Sequence, residues 1–205
     1  QAHLNEHIVR RSMGDLVAAR ETLEHAELAA SGYEGADVFI QNAWGQWHLA
    51  AGDLEAAEFH LRSALAVVVG GRGQVTVRLN LAETLLAAGR SLDAAEEARF
   101  SEYAAIVARA PAQLPEVYRL LGRISMERGE GDAFVLFEKA LSLVAEQGLP
   151  EIERARTLQV YADAEGHSGD PVRADELRTE ASRIYGELGI GERSRWVDRH
   201  EAAPD

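Results

Sequence analysis

This sequence specifies an all-α solenoid, a right-handed superhelix of about five helical hairpins with a short C-terminal capping helix. A glycine period is the first reason. Gly14, Gly52, Gly89, Gly129 and Gly169 recur at intervals of 38, 37, 40 and 40 residues, each between two Ala- and Leu-rich amphipathic segments. The second reason is a size pattern in step with that period. A small residue stands seven positions before the glycine as Gly45, Ala82, Gly122 and Ala162, with His7 the exception. Five positions after it come Ala19, Ala57, Ala94 and Ala174, and seven further on Ala26, Ala64, Ser101 and Ala181. The fourth unit carries Ala133 and Ala140 after a turn one residue shorter. Between these small positions sit Leu23, Leu61, Ala98 and Phe137, while Arg178 breaks the pattern in the last unit. Large beside small is knob beside hole, which lets antiparallel helices interdigitate closely.

Each element has its own local justification. Gly14-Asp15, Gly52-Asp53 and Gly169-Asp170 place a residue suited to left-handed backbone at a helix end, then an acceptor that caps the next helix. Pro115, Pro150 and Pro171 suit first turns, where a missing N–H costs nothing. Ten helices are expected at about 1–13, 15–30, 37–51, 53–69, 74–88, 91–109, 115–128, 131–147, 150–167 and 171–188. The fourth shows its stripe plainly in Leu54, Ala57, Leu61, Ala64, Leu65 and Val68. The Gly70-Gly71-Arg72-Gly73 segment reads as a linker. The whole is one repeat domain over 1–199, with units at about 1–35, 36–73, 74–112, 113–149 and 150–188, a cap at 189–199 containing Trp196, and a tail at 200–205.

This arrangement resembles the tetratricopeptide repeat (TPR) family. Its second unit, Trp44-Gly45 through Gly52-Asp53-Leu54, Ala57, Leu61 and Ala64, matches best, and Tyr118, Leu121 and Gly122 supply the aromatic, Leu and Gly of the fourth. Units of 37 to 40 residues look like those in helical arms of large bacterial transcription activators, antibiotic regulatory proteins and peptide-pheromone receptors. The resemblance implies a non-enzymatic scaffold for protein or peptide partners. Some members hold a C-terminal carboxylate in a Lys/Asn/Arg clamp; no Lys stands in the matching positions here.

Composition narrows the function classes. The net charge of −13 is spread along the chain, so no basic stripe offers itself to nucleic acid. No apolar run is long enough for a membrane span, and the first residues lack the basic-then-apolar pattern of a signal peptide, so the expected location is cytoplasmic. Cysteine is absent, which removes disulfides and thiolate chemistry. Only Lys139 among 21 basic residues is Lys, a bias associated with GC-rich bacterial coding. The abrupt start at Gln1 without Met suggests a fragment of a longer protein or a processed chain.

Catalytic signals are sparse. His3-Leu4-Asn5-Glu6-His7 fits the H-x-x-E-H pattern of inverted zinc peptidases, but it lies on the first helix of a repeat without a third ligand. These histidines are expected at the surface or in packing, and no metal or cofactor is expected. No Gly-x-Ser-x-Gly elbow occurs, and Trp44, Trp47 and Trp196 have the spacing of packing residues.

The sharper lead is the concave wall that the first helix of each unit lines. Counting back from the turn glycines places Asn5, Asn42, Gln46, Asn80, Glu83, Arg119, Arg123, Glu127, Arg156, Gln159 and Asp163 there. The N-terminal half is amide-rich, while Arg119, Arg123 and Arg156 gather in the C-terminal half as a clamp for a carboxylate or phosphate, as on an acidic peptide or a chain terminus. The opposing expectation is that Glu116, Glu127 and Asp163 neutralise these arginines internally. A second functional reading is a structural arm that positions neighbouring domains or forms a homodimer through its first unit.

Overall fold

The computed structural model describes residues 2–12, 14–33 and 35–190. Among these residues the chain forms ten α-helices in five hairpins: α1 (Ala2–Ser12) and α2 (Leu16–Ala30), α3 (Ala36–Ala50) and α4 (Leu54–Val67), α5 (Gly71–Ala87) and α6 (Ser91–Val107), α7 (Leu114–Glu127) and α8 (Ala133–Glu146), α9 (Glu151–Ser168) and α10 (Pro171–Glu187). A single 3₁₀ turn, Pro111–Gln113, precedes α7. None of the described helices is long and apolar enough to cross a membrane. The expected cap around Trp196 and the tail lie outside the described residues.

Turn chemistry explains the hairpins. At Gly14, Gly52, Gly89 and Gly129 the backbone is left-handed, with φ between 66° and 80°. There the glycine N–H and the next N–H turn back onto the preceding helix, as in Gly52 to Leu49 O (3.1 Å) and Asp53 to His48 O (2.9 Å). Orphan carbonyls at the helix end are thereby satisfied. Asp15 and Asp53 then cap the following helices by accepting from Ala18 and Ala56 N–H at 3.1 Å each.

The fifth turn differs from its expected form. Gly169 has φ −126°, outside the left-handed region. Its missing side chain serves closeness, because a Cβ would collide with Glu165 Oε2, the carboxylate oxygen that accepts from Asp170 N–H at 3.0 Å. The expected Gly70–Gly73 linker is also corrected. Gly70 caps α5 with positive φ, and Gly71 already begins the helix.

The knob-and-hole pattern is realised in space. A Cβ on Gly45 would stand 2.5 Å from Leu61 Cγ, and one on Gly122 would stand 2.5 Å from Phe137 Cε1. Leu61 and Phe137 are fully buried, each contributing about 2–3 kcal/mol of apolar transfer. In the first unit His7 takes the small residue's place and is itself fully buried. In the last, Leu177 enters the core while Arg178 stays outside on Asp175, at 2.7 Å.

The hairpins stack through the second helix of one and the first helix of the next. The odd-numbered helices also meet their counterparts in the adjoining hairpin, to an extent that no pair of even-numbered helices matches among the described residues. They therefore form the inner, closely spaced row of the solenoid. The core runs along the stack in three blocks, centred on Leu23 and Ile40, on Leu81 and Leu85, and on Phe137 and Leu177.

Candidate functional site: the inner row of first helices

Each first helix is tied to the next by a polar side-chain bond. Arg11 Nη2 on α1 donates to Gln46 Oε1 on α3 (3.2 Å), and Asn80 Nδ2 on α5 donates to Asn42 Oδ1 on α3 (2.8 Å). Arg123 Nη1 on α7 donates to Glu83 Oε1 on α5 (2.9 Å), and Arg119 Nη1 on α7 donates to Glu153 Oε2 on α9 (2.8 Å). The two rungs made by α7 are carboxylate–guanidinium pairs. The Asn80–Asn42 rung is amide to amide.

Between α5, α7 and α9 the row opens into a small recess of about 70 Å³, continuous with solvent. Glu83, Arg119, Arg123, Arg156 and Gln159 line it, five of the residues placed on the inner wall by counting from the glycines. Glu116 lies there too, as do the apolar Leu79, Leu120 and Val160. Asn42, Gln46, Asn80, Glu127 and Asp163 lie outside this recess. Asn42 and Gln46 are half-buried in the rungs above it, Asp163 is half-buried on α9, and Asn5 and Glu127 are exposed on α1 and α7.

Arg119 and Arg156 converge on a single carboxylate. Glu153 Oε2 accepts from Arg119 and Oε1 accepts from Arg156, both at 2.8 Å. The flanking guanidiniums hold the Glu153 carboxyl below the ordinary carboxylate range, overcoming a burial effect that acts upward. Arg119, only 9% exposed, also reaches Thr157 Oγ1 at 3.2 Å. It is thus committed to the wall, whereas Arg123 and Arg156 keep part of their surface toward the recess.

Counting from the glycines does not reach Glu153. The signal available in sequence is its position three before Arg156, a helical ion-pair spacing. Leu79, Leu120 and Val160 carry no chemical signal and are set only by helix phase.

The His3/His7 motif forms no ligand pair. His7 is enclosed, its Nδ1 2.9 Å from Ala19 O and its Nε2 without a partner among the described residues. Burial holds this imidazole below its ordinary pKa of 6.5. Glu6 instead pairs with Arg10 at 3.2 Å, and His3 packs edge-on against His25. On the second hairpin, His48 and His60 stack at 5.1 Å and Trp44 lies over His60, an assembly no sequence spacing announces. Trp47 is pinned by its indole N–H to Leu16 O at 2.8 Å, in agreement with a packing role.

Five stacked helical hairpins with small residues at the crossings and a continuous row of first helices define a TPR-like α-solenoid. Solved structures carry the same fold at low sequence identity. Nearly identical TPR-like repeats of a putative kinesin light chain from Podosopora anserina superpose with a TM-score of 0.61 at 18% identity, covering 93% of this chain and 96% of that one. A variant of the same repeats with one residue substituted gives 0.63 at the same identity and coverage. No family model and no curated protein matches the sequence.

Proposed function

We propose that this chain is a non-catalytic scaffold whose inner row binds a protein or peptide, as the recognition segment of a larger bacterial regulator working in the cytoplasm. The observation that carries this reading is the recess between α5, α7 and α9, where charged and amide groups surround an apolar floor of Leu79, Leu120 and Val160. Such a mixed surface gives a peptide both apolar burial and polar registration. The ligand best suited to it is a segment bearing a carboxylate, side-chain or terminal, that meets Arg123 and Arg156. Asn42, Gln46 and Asn80 extend the same wall toward the N-terminal hairpins. Nucleic acid and membrane are not the partners proposed, given the acidic balance of the chain.

Arg123 is the residue to reverse, because Arg119 is buried in the wall and its replacement would disturb the fold. Fluorescence anisotropy against a panel of acidic and C-terminal peptides should show binding by the wild type and loss with Arg123→Glu at unchanged helicity. Equal affinity in both would reject the recess as the ligand site. A second reading, that the row is a structural arm, draws support from the four rungs, which fix the spacing of the helices without any ligand. Absence of binding across the panel together with a rigid scattering profile would favour it.

A further inference from the structure

The outer face carries a second surface, on α6 (Ser91–Val107) at the middle of the stack. Leu92, Phe100, Tyr103, Ile106 and Val107 are exposed there, Leu92 by 69% and Tyr103 by 68%. No other outer helix matches it: large exposed apolar residues are only Val17 and Leu28 on α2, Phe59 and Val67 on α4, Val135 on α8, and Val172 on α10 among the described residues. A concentrated apolar stripe of this kind marks an interaction surface rather than scattered exposure.

Two charges, Glu96 and Arg99, interrupt the stripe. Most arginines of the described hairpins lie in ion pairs, such as Arg62 with Glu58, Arg90 with Asp93 and Arg183 with Glu187. Arg99 and Glu96 are exposed and make no ion pair among the described residues. At 100° per residue, Leu92, Glu96, Arg99, Tyr103 and Ile106 fall on one face of the helix.

We propose that α6 pairs with α6 of a second copy, antiparallel about a two-fold axis between Arg99 and Phe100. The stripe is complementary to itself in that register. Leu92 faces Val107 of the other copy, Glu96 faces the Tyr103 hydroxyl, and Arg99 lies beside Phe100, whose ring carries Arg78 of its own chain at 4.9 Å. The same register brings Glu96 of each copy about one helical turn from Arg99 of the other, which adds an opposite charge across the axis to the one three residues away on its own helix. A parallel pairing would set Glu96 against Glu96 and Arg99 against Arg99. The exposed charges of α6 itself, Asp93, Glu96 and Arg99, leave only a small local excess, so the chain's net −13 does not prevent the approach. An isologous contact of this kind closes on itself and leaves the inner row of both copies open.

Light scattering after size exclusion tests this directly, with wild-type protein loaded at about 100 µM, where a micromolar dimer is nearly complete. The expected mass is near twice the 22.3 kDa chain. Val107→Asp, Glu96→Arg and Arg99→Glu should each weaken the dimer by about tenfold or more, and the swapped pair Glu96→Arg/Arg99→Glu should recover it. Arg123→Glu should dimerise like the wild type, which separates this surface from the recess. A wild type that stays at 22.3 kDa, or a dimer indifferent to Val107→Asp and Glu96→Arg, overturns the proposal.

Discussion

Asn80, nine residues before the turn glycine of its hairpin, donates its amide at 2.8 Å to Asn42, ten residues before the turn glycine of the hairpin preceding it. Each neighbouring pair of first helices carries such a tie, in a different chemical form and from different positions of the repeat.

The amide rung is expected to hold independently of salt. Asn80 is buried, so Asn80→Ala should cost about 1–2 kcal/mol by leaving Asn42 without its donor. The double variant Asn42→Ala/Asn80→Ala should cost less than the sum of the two singles. Urea denaturation at low and high ionic strength measures both, and strict additivity would show that the pair is not coupled.

Close approach at Gly122 sets a second expectation. Its neighbour across the crossing is the fully buried Phe137, 2.5 Å from an added Cβ, so Gly122→Ala should destabilise by about 1–3 kcal/mol through overpacking. Gly166, also inside a helix, has only Arg178 Nη2 at 3.7 Å. Gly166→Ala should therefore be neutral or stabilise by up to about 1 kcal/mol. Thermal melts should show a clear fall for Gly122→Ala and none for Gly166→Ala, and a matching fall in both would remove the packing argument.

Removing Glu153 leaves Arg119 largely enclosed without its counter-charge. Glu153→Ala should cost about 2–3 kcal/mol, and Arg119→Leu/Glu153→Leu should recover part of that loss in the same denaturation measurement. The sign of its pH response follows from the depressed carboxyl. Stability from this pair is present above the ordinary value of 4.5 and is lost as pH falls below it.

His7 and His60 predict a second acid response, in the N-terminal hairpins and at a higher pH. Burial lowers His7 below 6.5, and burial with the neighbouring His48 lowers His60. An unfolded chain binds these protons first, so the stability they carry is present above pH 6.5 and declines as pH falls through it. The melting temperature should drop between about pH 7.5 and 5.5, and His7→Leu should reduce that drop. A drop of equal size in the variant would assign the effect elsewhere.

Much of this architecture is legible in the chain itself, for physical reasons. Turn glycines and their Asp caps announce the hairpins, and the small Gly45 and Gly122 and the bulky Leu61 and Phe137 are marked by size, while which meets which is set by the crossing of the helices. Gly169 misleads because glycine serves both left-handed backbone and close approach, and sequence does not say which. The start of α5 misleads because glycines that cap a helix look like a linker. Of the inner wall, Glu83, Arg119, Arg123, Arg156 and Gln159 meet in one recess as helix phase requires. Glu153 stands three before Arg156 on one helix, but its bond to Arg119 crosses from α7 to α9 and depends on stacking rather than on spacing along the chain.

Partner capture with three baits tests the central claim most directly: wild type, Arg123→Glu in the recess and Val107→Asp on the outer face, each read by quantitative mass spectrometry. Recognition through the inner row predicts a partner retained by the wild type and Val107→Asp and lost by Arg123→Glu. The same partners on all three baits, or none on any, would contradict it.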